Sequence, residues 1–276
     1  MSLDLSYKMI KKKILWENRN CYGDGNYYCS LLPKYSWKNL SDLEYLNNYL
    51  TSNLKDKKNN SLEFAAGTGR ATKVLQTYSS NITIVEINPF MLKLFELRGD
   101  NKIVIFNDDM NNFIKNSLLR KYNLIFSFWG PYPDRESNEI LFEKLSSGTK
   151  GIFFHADRGK FEQKLIRKIL NQYKDKKYNP DKNTSEKEDF FIQKLEEYKK
   201  SNIIDFSIEE VTGQARFKSL DSAIETFLNF HLANLFDQDT YFKVYDFLEN
   251  TLRDNMNNSG EISIDSGMKI FNLIKF

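Results

Sequence analysis

The chain has 276 residues, 41% hydrophobic and 28% charged, a balance that fits a globular protein with a full core and excludes a disordered tail or a fibre. The formal net charge of +3 does not demand a nucleic-acid partner, and no apolar run is long enough to span a membrane. Cys21 and Cys29 could pair, but a chain of this size does not need the bridge, and no apolar leader opens the sequence, so a cytoplasmic protein is expected.

Residues 4–40 carry Lys8, Lys11, Lys12, Lys13 and Arg19 among many aromatics, and Gly23-Asp24-Gly25 divides them into a helix-like part and a loop. They read either as a basic solvated helix or as a flap over a ligand pocket, with Tyr28 as a substrate contact in the second case. Ser41 and Glu44 have the spacing of a capping box, so a helix is expected to start there, with Leu43, Leu46 and Leu50 on its apolar face.

Ser61–Glu86 then reads as strand, glycine turn, helix, strand. Ser61–Ala65 is a short apolar run, and Gly67-Thr68-Gly69 permits a sharp turn. Ala71, Val74, Leu75 and Tyr78 recur at helical spacing, and Ile82–Val85 is a β-branched strand ending at Glu86. Such a βαβ unit is the commonest seat of a nucleotide-like ligand, and an acid at the end of its second strand can accept from two ribose hydroxyls. A dinucleotide site normally has a third glycine, where this chain has Thr72.

Further on, Asn88 and Pro89 begin a helix that Gly99 can close. Ile103–Phe106 is a third strand, followed by Asn107-Asp108-Asp109-Met110. Asn123–Phe128 is a fourth strand leading into Trp129-Gly130-Pro131-Tyr132-Pro133. Lys150–Phe154 is a fifth, ending at His155, a candidate general base. An amphipathic helix starts at Phe161. Lys174–Lys200 holds eight lysines and seven acids and reads as a solvated helix face or a lid. Ile203–Val211 is a sixth strand. Leu220, Ile224, Phe227, His231 and Leu235 form a helical stripe, on which His231 is most simply a core residue with a partner. A last helix covers Tyr241–Leu252, and Ile262–Ile264 and Lys269–Ile274 flank Asp265-Ser266-Gly267 as a tight hairpin. No spacing of Cys, His or acids indicates a metal site.

The order Glu63-x-x-x-Gly67-x-Gly69 resembles the first motif of the class I S-adenosylmethionine-dependent methyltransferases. Asp109-Met110 after the third strand resembles that family's adenine-binding motif, and Glu86 stands where its ribose-binding acid stands. The loop after the fourth strand matches the family's Asn-Pro-Pro-Tyr loop poorly, since Trp129 and Gly130 replace the asparagine and first proline, so base or glutamine methylation is not inferred. The resemblance covers residues 61–160 well and the last third only in outline. It implies a Rossmann-like α/β fold: a seven-stranded, mostly parallel sheet with an antiparallel C-terminal strand, flanked by helices. One domain over 1–276 is expected, with an N-terminal cap (1–40), a cofactor core (41–160), a helical insert (161–202) and C-terminal strands and helices (203–276).

The resemblance implies S-adenosyl-L-methionine as cofactor, held by Glu63, Ala65, Gly67, Thr68, Gly69, Glu86, Ile87, Asp109, Met110 and Phe128. Trp129, Tyr132 and Tyr28 are the expected substrate contacts, with His155 or Tyr132 as catalytic candidates. The acceptor is expected to be a small molecule. A protein or RNA acceptor, a non-catalytic binder of the cofactor, and a nicotinamide oxidoreductase are the alternatives. The oxidoreductase leaves the missing third glycine and Asp109-Met110 unexplained.

Overall fold

Apolar runs bounded by glycine and asparagine turns become strands in the computed structural model, and amphipathic runs begun by Ser, Asp or Asn become helices. The structure describes residues 2–54, 59–96, 103–157, 160–173 and 180–276. In chain order the first half comprises α1 (Ser2–Glu17), α2 (Gly25–Leu31), β1 (Lys34–Trp37), β2 (Leu40–Ser41), α3 (Asp42–Asn53), β3 (Asn59–Phe64), α4 (Arg70–Leu75), β4 (Ser79–Val85), α5 (Pro89–Glu96), β5 (Ile103–Phe106), α6 (Met110–Asn116) and β6 (Leu124–Phe128). There follow α7 (Arg135–Lys144), β7 (Lys150–Ala156), α8 (Phe161–Tyr173), α9 (Pro180–Lys200), β8 (Ile204–Phe217), α10 (Leu220–Thr226), α11 (Gln238–Arg253) and β9 (Ile262–Lys275). The expected closure of α5 at Gly99 and the start of the Lys174–Lys200 segment lie outside the described residues.

The contacts divide the chain into two compact units, a finer division than the single expected domain. A core unit comprises Leu40–Asp157, Pro180–Thr212 and Gly267–Phe276. A helical unit comprises Met1–Asn39, Arg158–Asn179 and Gly213–Ser266.

The core unit contains the expected mostly parallel sheet, in the order β8-β9-β7-β6-β3-β4-β5. β3 pairs in parallel with β4 and β6, β4 with β5, and β6 with β7. β9 runs antiparallel to β7 from Met268 to Ile274, as the family resemblance implied. β3 and β6 lie inside the sheet with both faces covered: Leu62, Phe64, Leu124, Ile125 and Phe126 are fully buried. The capping box at Ser41 is present, its hydroxyl accepting from Glu44 N–H and the Glu44 carboxylate accepting from Ser41 N–H at 2.9 Å.

α9 departs from the lid that its polarity allowed. Phe191 and Leu195 are fully buried in a cluster with Tyr132, Phe142 and Phe271, so its inner face is part of the core. The expected hairpin at Asp265-Ser266-Gly267 is also corrected: β9 passes through it without turning. Its burial alternates along Ile262–Ser266, and Ser266 is an inward position, buried at 1% exposure. Gly267 O accepts from Asp157 N–H at 2.8 Å, which continues the ladder beyond the last β7 pair.

The helical unit has its own core of Leu165, Ile169, Phe227, Leu228, Val244 and Leu248 with their neighbours. Within it β1 pairs antiparallel with Gly213–Arg216 of β8. The N-terminal helix is tied by Lys12 to Asp246 at 2.7 Å and by Lys8 to Asp246 at 2.8 Å, both on α11. α10 ends in a π-helical turn, Phe227–His231, which carries His231 to within 3.1 Å of Glu162. The Glu162 carboxylate also accepts from Tyr35 Oη at 3.1 Å and Ser266 Oγ at 2.6 Å. His231 is therefore a core residue with a partner. Cys21 and Cys29 are not joined by a disulfide.

Candidate functional site

Parallel pairing brings the ends of three strands together. Phe64 is in register with Val85, and Val85 with Phe106, so Ala65, Glu86 and Asn107 all leave the sheet at the same edge. The expected acids thus stand side by side on adjacent strands, although they are far apart in sequence.

The glycine turn is built at that edge. Ala65, Gly67 and Gly69 have φ values of 53°, 55° and 80°. The two glycines adopt this left-handed region without penalty, whereas Ala65 carries strain of about 1 kcal/mol or more. The glycines serve different ends. A Cβ on Gly69 would lie 2.3 Å from the Phe95 ring, so that glycine lets α5 pack over the start of α4. A Cβ on Gly67 would meet nothing within 4 Å, so that glycine leaves open space above the backbone.

Glu86 is only 7% exposed and holds the turn. Its Oε2 accepts from Gly67 N–H at 2.8 Å and its Oε1 from Asn88 N–H at 2.8 Å. The Asn107 amide donates to Glu86 O at 2.8 Å and Ile87 O at 2.9 Å, which pins the corner after β4. The sequence reading passed over Asn107; its place beside two strand-end acids was the available signal. Ile87, next to Glu86, is 64% exposed at the same edge.

Glu63, one residue inside β3, is 1% exposed. Its Oε2 is buried without a hydrogen-bond partner. Burial pushes its carboxyl up to about 8; the neighbouring Thr72 hydroxyl opposes the shift, and the negative charge of Glu86 adds to it. Thr72, standing where a third glycine would be, therefore lines the same acid.

Asp109 caps α6, its Oδ1 accepting from Asn111 N–H at 2.9 Å and Asn112 N–H at 3.2 Å. Met110 is buried at the first position of that helix. Asp108 is engaged by the Asn112 amide at 2.8 Å.

The loop after β6 approaches the glycine turn closely. A Cβ on Gly130 would lie 2.1 Å from Ser127 Oγ and 3.2 Å from Ala65 Cβ. This contact explains why a glycine replaces the proline of the resembled loop. Trp129 has φ 64°, a strained conformation for a bulky residue, and its ring meets Phe128 edge-on at 5.5 Å. Tyr132 and His155 are placed otherwise than a substrate contact and an exposed base would be. Tyr132 stacks on His155 at 3.8 Å between centroids, and both are buried beside Phe191 and Phe271. His155 Nδ1 bonds Gly130 O at 2.9 Å, which ties β7 to the loop after β6. Both residues thus support the loop from inside the core. Tyr28 belongs to the helical unit, where its ring lies against Tyr22 and Phe230. Among the described residues no group of acids, histidines and cysteines is arranged to hold a metal.

No protein-family profile and no curated protein matches the sequence. Solved structures match the fold. The YcgJ protein from Bacillus subtilis has a TM-score of 0.54 at 10% identity, covering 84% of this chain and 98% of its own. A candidate methyltransferase from Bacillus halodurans C-125 has a TM-score of 0.53 at 10% identity, covering 85% and 98%. A protein of unknown function from Deinococcus radiodurans R1 has a TM-score of 0.52 at 10% identity, covering 88% and 92%. The chain has the fold of the class I S-adenosylmethionine-dependent methyltransferases.

Proposed function

We propose that the chain binds S-adenosyl-L-methionine and transfers its methyl group to a small-molecule acceptor. The observation that carries this reading is the shared sheet edge: the open Gly67 turn, with Glu63, Glu86 and Asp109 set at or beside the ends of three adjacent parallel strands. The residues fit the cofactor. The partnerless Glu63 Oε2 and the space above Gly67 suit a cationic amino-acid moiety. Glu86 suits a ribose, and Ile87 with the Asp109-Met110 corner suits an adenine. When bound, the cofactor supplies an electrophilic methyl carbon on a sulfonium.

In this reading the chain's own residues bind, orient and exclude water. Gly67, Thr68 and Gly69 bring backbone close to the ligand. Glu86 exchanges part of its backbone bonding for ribose hydroxyls. Phe128 and Trp129 leave the strand beside the glycine turn and orient the acceptor.

Calorimetric titration with S-adenosylhomocysteine and with NAD tests the cofactor. Binding of the first alone is expected, and selective binding of NAD overturns the reading in favour of an oxidoreductase. Transfer from labelled S-adenosylmethionine into a pool of small metabolites tests the reaction. A protein that binds the cofactor but labels only polypeptide or RNA, or labels nothing, overturns the small-molecule assignment.

A further inference from the structure

The near balance of charge over the whole chain hides a local excess. From Arg158 to Lys177 the sequence holds eight Lys and Arg and only two acids, Glu162 and Asp175. At the centre of this stretch is α8 of the helical unit. Its Leu165, Ile169 and Leu170 are buried in that unit's core and anchor the helix. Glu162, the one acid of α8, is 2% exposed and engaged inside by His231, Tyr35 and Ser266. The outer face of α8 is left with no acid of its own. There Lys164, Arg167, Lys168, Asn171 and Gln172 line a shallow concavity of about 500 Å³. The lysines of α1 differ, since Lys8 and Lys12 are paired with Asp246 and Lys11 with Asp221. Among the described residues no acid pairs with Lys164 or Lys168. Lys168 Nζ instead lies 5.2 Å from the centre of the Phe247 ring of α11, which steadies that side chain.

We propose that this face of α8 is a docking surface for the phosphate backbone of a nucleic-acid duplex, a binding activity that does not depend on the cofactor reading. Cations fixed in a row gain affinity by releasing the counterions condensed on such a backbone. The amides of Asn171 and Gln172 add donors of the kind that meet phosphate and sugar oxygens. Because the inner face of α8 is packed into the core, these groups are presented by a fixed element and need no ordering of the backbone on binding. What the face lacks selects the occupant. Among the described residues its lining has no aromatic ring on which unpaired bases could stack, which disfavours a single strand. Leu165, Ile169 and Leu170 are turned into the core, so the helix has no apolar face to bury in a lipid layer. Contacts to the backbone alone carry no base readout, so the binding is independent of sequence.

Fluorescence anisotropy of the full chain with a labelled DNA duplex of mixed sequence, between about 50 and 200 mM salt, tests the proposal. The logarithm of affinity should fall linearly with the logarithm of salt, with a slope of about −2.7, the value for three neutralised phosphates. Replacing Lys164, Arg167 and Lys168 together by Gln should weaken binding about tenfold or more at the lowest salt and flatten the slope. All three side chains line the outer concavity, so the core packing of α8 is untouched. Should that variant fail to fold, Lys164→Gln and Lys168→Gln alone should each flatten the slope by about 0.9, and an unchanged slope in both overturns the proposal. Replacing the exposed Lys13, Lys34 and Lys121 by Gln removes the same charge elsewhere and should leave most of the affinity. Equal losses in the two triple variants would reduce the effect to net charge and overturn the assignment to α8. Absence of duplex binding at the lowest salt overturns it, as does tighter binding of the single strand. Binding to phosphatidylserine vesicles with none to the duplex assigns the surface to a membrane and overturns it as well.

Discussion

Gly67 and Gly69 look alike in sequence, and their surroundings separate them. Gly69→Ala combines a φ of 80° with a Cβ pressed 2.3 Å from the Phe95 ring, so it should destabilise the protein by about 2–4 kcal/mol. Gly67→Ala meets no atom within 4 Å and should cost only about 1 kcal/mol of backbone strain, while its methyl group enters the proposed ligand space and lowers cofactor affinity at least tenfold. Chemical denaturation with parallel calorimetry separates the two, and equal losses in both assays would remove the distinction. Glu86→Ala strands two backbone donors, Gly67 N–H and Asn88 N–H. It should reduce S-adenosylhomocysteine affinity by about one to two decades and stability by about 1–3 kcal/mol. Unchanged affinity in a folded variant would show that the ribose is not held there. Trp129→Ala releases a residue in a left-handed conformation beside the glycine turn. Methyl transfer should fall more than cofactor affinity. A parallel fall in both would make Trp129 a packing residue.

At the scale of elements, α9 illustrates how composition misleads. Its polarity allowed a mobile lid, but a helix needs only a narrow apolar stripe to dock, and Phe191 and Leu195 supply it. Amide hydrogens around 188–198 should therefore exchange slowly in the protein alone and change little when cofactor binds. Leu195→Ala should cost about 2–5 kcal/mol by leaving a cavity in the cluster it shares with Phe142 and Phe191. Fast exchange across this stretch, slowed only by ligand, would restore the lid. β9 illustrates the converse. Asp265-Ser266-Gly267 has turn composition, but Ser266 faces inward and donates to Glu162, and Gly267 continues the ladder, so the strand stays extended.

For the whole molecule, two buried carboxyls make opposite contributions to the pH dependence of stability. Glu162 is held below the ordinary carboxylate range; its burial works against this, and the bonds and charge of His231, with Ser266 and Tyr35, outweigh it. Its stabilisation is present above the unfolded-state value and is lost as pH falls through the lower folded value. Glu63 is raised to about 8, so the unfolded state ionises first and stability declines as pH rises from about 4.5 to 8. At about 1.4 kcal/mol per unit, that decline amounts to roughly 3 kcal/mol by pH 7. Stability of the protein without ligand should therefore be greatest near pH 5, and Glu63→Gln should flatten the alkaline side alone. Thermal melts across pH 4–9 check this, and a maximum at pH 8 in the parent would contradict it.

What the sequence by itself determined is what short-range rules control. Helix starts at Ser41 and Asn88, the strands, the glycine turn and the strand-end acids follow from period, caps and backbone freedom over a few residues. The class of fold was legible because those local signals fall in one order along the chain. The tertiary structure decided which strand ends became neighbours, and so which acids could share a ligand. It turned Tyr132 and His155 inward, since an aromatic ring after a proline reads the same whether it faces the core or solvent. It selected Asn107 as the pin of the Glu86 corner, through a partner 21 residues away. It also raised the Glu63 carboxyl above the usual carboxylate range, because a carboxyl's hold on its proton depends on the water removed around it and on the charges folded beside it, and neither is encoded within reach of its own sequence neighbours.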